Sequence, residues 1–495
     1  MRRFLLALGL LGALLGTSGV ARAGDFDLDD DPQPSKPEPA KDPAAGKGAP
    51  APLMPPPPVA TIRGHAYSLR ECLALADRNH PNLWAARARL AFAHGQLDEA
   101  KWLPWMQVGA DVTAGILPRL GGTAFYNETP ISLRNQPFLG LADPQPFLQF
   151  SVGGVLPLWT FGKISAGREA AEANVRLNEW EVEKLRQQLR MDVRRAYFGL
   201  MLARDAQYLL DEIISLLDKS IANMKKKLSK GEAGIEEVDR LRLELYREET
   251  LARSGEPKRG ETYAIAALRF LTGVQTAFDI PDEPLKRPTK VLGPVVQYLT
   301  AARLHRGEVN QARSGVVARR ALVDLARARL YPDIGIGYRV SYGVAPSATI
   351  QNTAWVGDPF NYFGYGFAVG ARWNLDLLPQ SARVAQAEAQ LDEARAFERL
   401  ALGGVAVEVE NAYGIAVEAK TREEYWDKAE HRTRQWISTT QDSIDLGTKD
   451  ERALLEPLRA YFNARVNHLY ALMDFSVALS DLSRATGWDA FAPID

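Results

Sequence analysis

Ile334-Gly335-Ile336-Gly337-Tyr338-Arg339-Val340-Ser341-Tyr342-Gly343-Val344 alternates without a break. Ile, Ile, Tyr, Val, Tyr and Val fall on one face; Gly, Gly, Arg, Ser and Gly fall on the other. Side chains of a strand point to opposite faces in turn, so this period predicts a strand with one apolar, aromatic face and one small or polar face. Three further stretches read the same way. In 105–116, Met106, Val108, Ala110, Val112, Ala114 and Ile116 oppose Gln107, Gly109, Asp111, Thr113 and Gly115. In 148–158, Leu148, Phe150, Val152, Gly154 and Leu156 oppose Gln149, Ser151 and Gly153. In 363–373, Phe363, Tyr365, Phe367, Val369, Ala371 and Trp373 oppose small residues and Arg372. A transmembrane β-strand needs about 9–11 residues with this dyad pattern. Two soluble hairpins packed on helices are the competing reading. The stretches between the strands, 117–146 and 345–361, are rich in Gly, Pro and Asn and suit an outer surface.

On either side of the strands the period becomes helical. Val182, Leu185, Leu189, Val193, Ala196, Leu200, Ala203, Gln207, Leu210, Ile214, Leu217, Ile221, Met224 and Leu228 follow steps of three and four, a heptad seam broken only by Gln207. The helix predicted over about 163–228 would be on the order of 100 Å long. A second, about 381–444, has a poorer seam: Val405, Val409, Ala412, Ala416, Ala419, Trp426, Ile437 and Ile444. Helices over about 67–102 and 295–330 end at Pro104 and Pro332. Return helices follow over about 235–272 and 451–486.

The chain is one design written twice. Ala171-Glu172-Ala173-Asn174-Val175 returns as Ala387-Glu388-Ala389-Gln390-Leu391, 216 residues later. Val193 with Ala196-Tyr197 returns as Val409 with Ala412-Tyr413, and Gly231 as Gly447, at the same interval. Such a period is too long for a solenoid. It defines two halves, 62–273 and 295–487, each reading helix, β-hairpin, long helix, return helix.

Four strands cannot close a barrel, and an open strand edge is not viable in lipid. Membrane strands in this number therefore require several chains to share one barrel. Three copies would supply twelve strands, enough for an open lumen, though this arithmetic alone does not fix the number.

The remainder of the sequence narrows the class. Met1-Arg2-Arg3, the apolar run Phe4 to Val20 and Ala21-Arg22-Ala23 form an export signal with a small-residue cleavage site, so a signal peptide is expected over 1–23. An N-terminal membrane anchor is the other reading of that run. Residues 24–60 hold eleven of the 30 prolines and read as a disordered spacer. The balance of 60 basic to 61 acidic residues gives no basic field for nucleic acid. One cysteine, Cys72, excludes a disulfide framework. A mean hydropathy of −0.22 is too polar for a bundle of transmembrane helices. The six histidines show no metal-ligand spacing, and no phosphate-binding, dinucleotide or nucleophile-elbow motif occurs in a suitable context. Glu423-Glu424 and similar pairs read as solvated helix faces. No enzyme, cofactor or metal is expected, and the energy for any transport must come from a partner.

Ser68-Leu69-Arg70-Glu71-Cys72-Leu73-Ala74-Leu75-Ala76 with Asn79-His80-Pro81, then Pro157-Leu158-Trp159-Thr160-Phe161-Gly162-Lys163, and the two glycines Gly231 and Gly447 stand in a particular order and spacing within the duplication. In this the chain resembles the TolC-like outer membrane efflux proteins over nearly all of 62–487. The resemblance implies a mainly α fold with a transmembrane β-barrel contribution: a homotrimeric α/β-barrel tunnel lying in outer membrane lipid and crossing the periplasm. It implies docking to a periplasmic adaptor (membrane fusion) protein and to an inner-membrane transporter of efflux or secretion type, with drugs, metals or proteins as the exported class. A soluble periplasmic coiled-coil scaffold or adaptor without a channel is the alternative. The second strand-to-helix turn departs from the pattern: Asn374-Leu375-Asp376-Leu377-Leu378-Pro379 has no glycine where the first has Gly162.

Gly231 and Gly447 sit where the family turns from long helix to return helix, at the periplasmic entrance. Members often place acids just beyond that turn. Here they are Glu236 and Glu237 in the first half, and Asp450, Glu451 and Glu456 in the second, with Lys449 beside them. Repeated around a narrow tunnel, such carboxylates would favour cations, and Lys449 would pair with an acid of a neighbouring copy. The plainer reading is that acids at a helix N-terminus stabilise the dipole.

Overall fold

The computed structural model of the chain describes residues 65–105, 107–117, 145–229, 237–275, 277–346, 348, 350, 357–489 and 492, all within the unit Met54–Asp495. The expected signal peptide and spacer, most of the loop at 117–146, residues 347, 349 and 351–356 of the loop at 345–361, and Gly231 and Glu236 lie outside these residues.

The four alternating stretches form one antiparallel sheet in the order β1 (Gln107–Leu117), β2 (Gln145–Trp159), β3 (Asp333–Val344), β4 (Tyr362–Arg372). Register keeps the two faces distinct across all four strands. Val112, Phe150, Tyr342 and Phe363 form one row of the apolar face; Ala110, Val152, Val340 and Tyr365 form the next. β2 is longer than its alternation indicates, because Pro146 and Pro157 interrupt the pattern without ending the pairing, and the register shifts between Pro157 and Trp159.

The helices are α1 (Leu69–Asn79), α2 (Pro81–Trp102), α3 (Lys163–Ser229), α4 (Glu237–Arg253), α5 (Gly255–Thr272), α6 (Val295–His305), α7 (Gly307–Ala328), α8 (Leu377–Asp445) and α9 (Leu455–Thr486), the last preceded by a 3₁₀ turn, Glu451–Leu454. Three predicted continuous helices are broken. The stretch over 67–102 divides at His80, whose ring caps α2 by accepting from the Asn82 N–H, with Pro81 at the first helical position. Its counterpart divides at Arg306, and the first return helix divides at Ser254. At Arg306 the guanidinium takes ion pairs with Glu308 at 2.6 Å and Glu408 at 2.8 Å, so the break positions a buried charge.

α3 has 67 residues and α8 has 69, each about 100 Å long. Near the sheet, the columns α2, α3, α7 and α8 pack side by side in that order. It is the order of the strands they adjoin, so every strand continues into one helical column. Further on, α4 and α5 pack on α3, and α9 packs on both α3 and α8. The α3 seam is buried from Val182 through Leu189, Val193, Leu200, Leu210 and Leu217 to Met224. Ile213 is buried in place of Ile214, since α3 is covered there by both α4 and α9 and so buries a wider stripe, Leu209 included. Where α8 meets the later part of α9 its seam is small, Val405, Val409, Ala412, Ala416 and Ala419, and Ala-sized contacts let α9 approach closely.

Candidate functional site: an apolar strand face and a charged helical end

Among the described residues nothing covers the apolar face of the sheet. Phe363, Tyr365, Phe367 and Val369 are each about two-thirds or more exposed, as are Val112 and Ile116 on β1. A face of that size leaves a large apolar area in contact with whatever solvates it, which water does not favour. At the junction of strands and helices stand Trp102, Trp105, Trp159, Trp373, Tyr331 and Phe161, all exposed. Phe161 stacks on Tyr331 at 5.3 Å, and Trp373 Nε1 donates to the Leu330 carbonyl at 2.9 Å. Such amphipathic rings belong at a membrane–water interface. The joint itself is tight. Phe161 adopts φ 52° and Gly162 φ 90°, turning the chain from β2 into α3 within two residues. The opposite sheet face is mostly glycine with small or polar residues, a few charges, and Phe147, Val155 and Tyr362 as its larger apolar groups. Among the described residues β1 and β4 each pair on one side only, so the sheet has two open edges.

At the far end of the helical columns, α8 closes on Gly447 at φ 73°; its N–H donates to the Ile444 carbonyl at 2.9 Å, and the Thr448 N–H to Ser443 at 2.9 Å. This left-handed turn is why a glycine stands there. Asp450 precedes the 3₁₀ turn, Glu451 opens it, and Glu456 is exposed in the first turn of α9. Glu237 opens α4 and accepts from Arg240 Nε at 3.0 Å; that guanidinium holds its carboxyl below the usual range. Arg240 also binds Glu244, which Lys225 of α3 reaches at 3.1 Å. Lys449 is exposed and takes no ion pair among the described residues.

Arg452 stands among these acids. Its guanidinium lies 3.5 Å from Asp450 and 3.9 Å from Asp239, a buried acid of α4. The structure thus draws Asp450 of the second half toward the return helix of the first, with Arg452 between them.

The sequence matches the family of outer membrane efflux proteins over residues 73–273 and 298–488, most of the chain. The chain belongs to that family. Among solved structures, the outer-membrane channel OprN is similar at 19% identity and TM-score 0.67, over 86% of this chain and 91% of that one. The MtrE outer membrane channel of Neisseria gonorrhoeae, solved in an open state, matches at 17% identity and TM-score 0.67, over 85% and 89%. The outer membrane protein VceC of Vibrio cholerae matches at 18% and 0.64, over 85% and 96%. At these identities the likeness is one of fold. No curated protein matches the sequence.

In this efflux protein the α8–α9 contact hides a charge cluster. Glu423, read from sequence as part of a solvated face, is 2% exposed. It occupies a seam position of α8, where Arg287 of the inter-half linker reaches it at 3.1 Å. One turn or two further along, Asp427 and Glu430 join it around the buried His468 of α9. His468 Nδ1 is 2.5 Å from Glu430 Oε2, while Nε2 is 3.6 Å from Glu423 and 4.0 Å from Asp427. Burial pushes the Glu430 carboxyl up, but hydrogen bonds from His468 and Arg465 outweigh it and hold it below the usual range. The signal available in sequence was the seam itself: steps of three and four from Ala416 and Ala419 land on Glu423 and Glu430. Among the described residues no group of three or more His, Cys, Asp and Glu side chains is placed to hold a metal ion.

Proposed function

We propose that the protein is a passive export duct of the outer membrane, formed by three copies of the chain. The observation that carries this reading is a four-stranded sheet with an exposed aromatic face, two open edges, and one helical column continuing from each strand. Lipid solvates the aromatic face, and unpaired backbone at the edges of β1 and β4 must then be met by other strands. Joining β4 of one copy to β1 of the next closes the barrel, and three copies make a twelve-stranded lumen with twelve columns beneath it. The columns are long enough to carry the lumen across the periplasm. The charged ends around Gly447 form the periplasmic entrance, where Glu237, Asp450, Glu451 and Glu456 line the approach and the Asp239–Arg452–Asp450 contact holds the second tip to the first return helix. A periplasmic adaptor and an inner-membrane transporter supply energy and cargo, since nothing in the chain resembles an energy-coupling site.

The test is the native mass of the protein extracted in detergent from isolated outer membranes. A particle of about three mature chains in that fraction is expected. A soluble periplasmic monomer or dimer would put a coiled-coil scaffold in place of the duct.

A further inference from the structure

From the barrel reading we infer that Arg339 forms a cationic girdle in the outer barrel and sets the preference of that part of the duct for anionic solutes. This rests on the proposed trimeric barrel, and it adds a residue and a substrate charge to it. The apolar face meets lipid, so the face carrying Arg339 lines the lumen. The register makes that lumen wall unusually bare. Arg339 pairs with Gly153 of β2 and Gly366 of β4, and Gly153 pairs with Gly109 of β1. Arg339 is therefore the one side chain larger than hydrogen in a row that crosses all four strands.

The rows on either side are short. One holds Asp111, Ser151, Ser341 and Gly364; the other holds Gln107, Val155, Gly337 and Ala368. Asp111 stays near the wall, 3.5 Å from Ser151 Oγ. Arg339 is exposed, and among these rows it has the longest side chain. The glycine next to it is constrained as well: a β-carbon at Gly153 would come 2.9 Å from the Tyr338 carbonyl and 3.5 Å from the Arg339 β-carbon. Three copies place three guanidinium groups at one level, and rings of Arg favour anions in a pore. The sign is opposite to that of the carboxylates at the periplasmic end, so the two ends of the duct would act on different charges of one solute.

The experiment is planar-bilayer recording of the full-length protein under a KCl gradient. R339Q is expected to raise the potassium-to-chloride permeability ratio by about twofold or more, and R339E to raise it further. A second measurement reports position without relying on net charge. Cys72, the only cysteine, is fully buried, and burial pushes its thiol up to about 12, so R339C carries the single reactive thiol. Adding a bulky charged thiol reagent to open R339C channels is expected to lower their conductance, while wild-type channels ignore it. Channels that form normally, keep their reversal potential in R339Q and R339E, and do not respond to the reagent in R339C would overturn the girdle alone. If the wild-type protein forms no channels, the duct itself falls, and the girdle with it.

Discussion

Lys163 Nζ reaches Asp333 Oδ1 at 2.8 Å and the Tyr331 carbonyl at 2.9 Å, fastening the first residue of α3 to the first residue of β3 across 170 positions of sequence. The contact lies where strands become helices, so it ties the joint of one half to the joint of the other. K163A removes two charge-assisted hydrogen bonds and is expected to cost about 1–2 kcal/mol, seen as a lower denaturant midpoint in detergent. An unchanged midpoint would mean that the joint is held by Phe161 and Tyr331 instead.

A second prediction concerns acid. Arg194 is buried and its Nη1 pairs with Asp489 at 2.8 Å, while Arg190 reaches the other Asp489 oxygen at 2.8 Å. Burial pushes the Asp489 carboxyl up, but Arg194 and Arg190 more than reverse this and hold it below its ordinary 3.8. A depressed folded value means the stabilisation is present above the ordinary carboxylate pKa and is lost as pH falls through the folded one. Stability should therefore decline below about pH 4 in the wild type, and D489N should flatten that part of the profile. At neutral pH D489N leaves Arg194 buried without its anion and is expected to cost about 3–5 kcal/mol. Thermal unfolding across pH 2–7 checks both statements.

At the helical end, R452A removes the only cation placed between Asp450 and Asp239 among the described residues. With that link gone and Asp239 left to Arg242 at 3.5 Å, the tip is expected to loosen and single-channel conductance to rise. Changing Asp450, Glu451 and Glu456 together to alanine is expected to weaken cation preference at the entrance. Conductance and ion preference equal to wild type in both variants would remove the entrance assignment.

Gly447 stands alone in space, so a methyl group there meets nothing within 4 Å; the cost of G447A is purely conformational. A left-handed alanine costs about 1–2 kcal/mol. The helix end should fray or shift, read as faster amide exchange over 440–450.

On the strand face, F367K introduces a charge where the ring is about three-quarters exposed. In lipid this is expected to cost about 2–4 kcal/mol per copy and to reduce the amount of protein recovered in the outer membrane. In water the same substitution would be harmless or would improve solubility. The two environments give opposite results.

What sequence revealed of this fold follows from how strong each periodicity is. β3 and β4 lie within a residue of their alternation, because every second position carries a large apolar group and no proline intervenes. The breaks at His80, Arg306 and Ser254 escaped notice because apolar spacing runs on through them; only capping and a buried guanidinium mark two of them. At the α8–α9 contact the opposite error arises. Glu423 and His468 are polar residues in core positions, and composition reads them as surface until their partners across the seam are known. Arg452 was missed for a similar reason, since its role depends on Asp239, more than two hundred residues away in sequence.

The two open edges of the sheet also govern how the protein must be made. A lone chain entering lipid would carry unpaired amides on β1 and β4, so it has no low-energy folded state there to wait in. If copies share one barrel as proposed, association and insertion become one event, and the rate at which channels appear should climb more steeply than linearly with chain concentration. On the shared-barrel reading, folding of this protein is a reaction whose molecularity exceeds one.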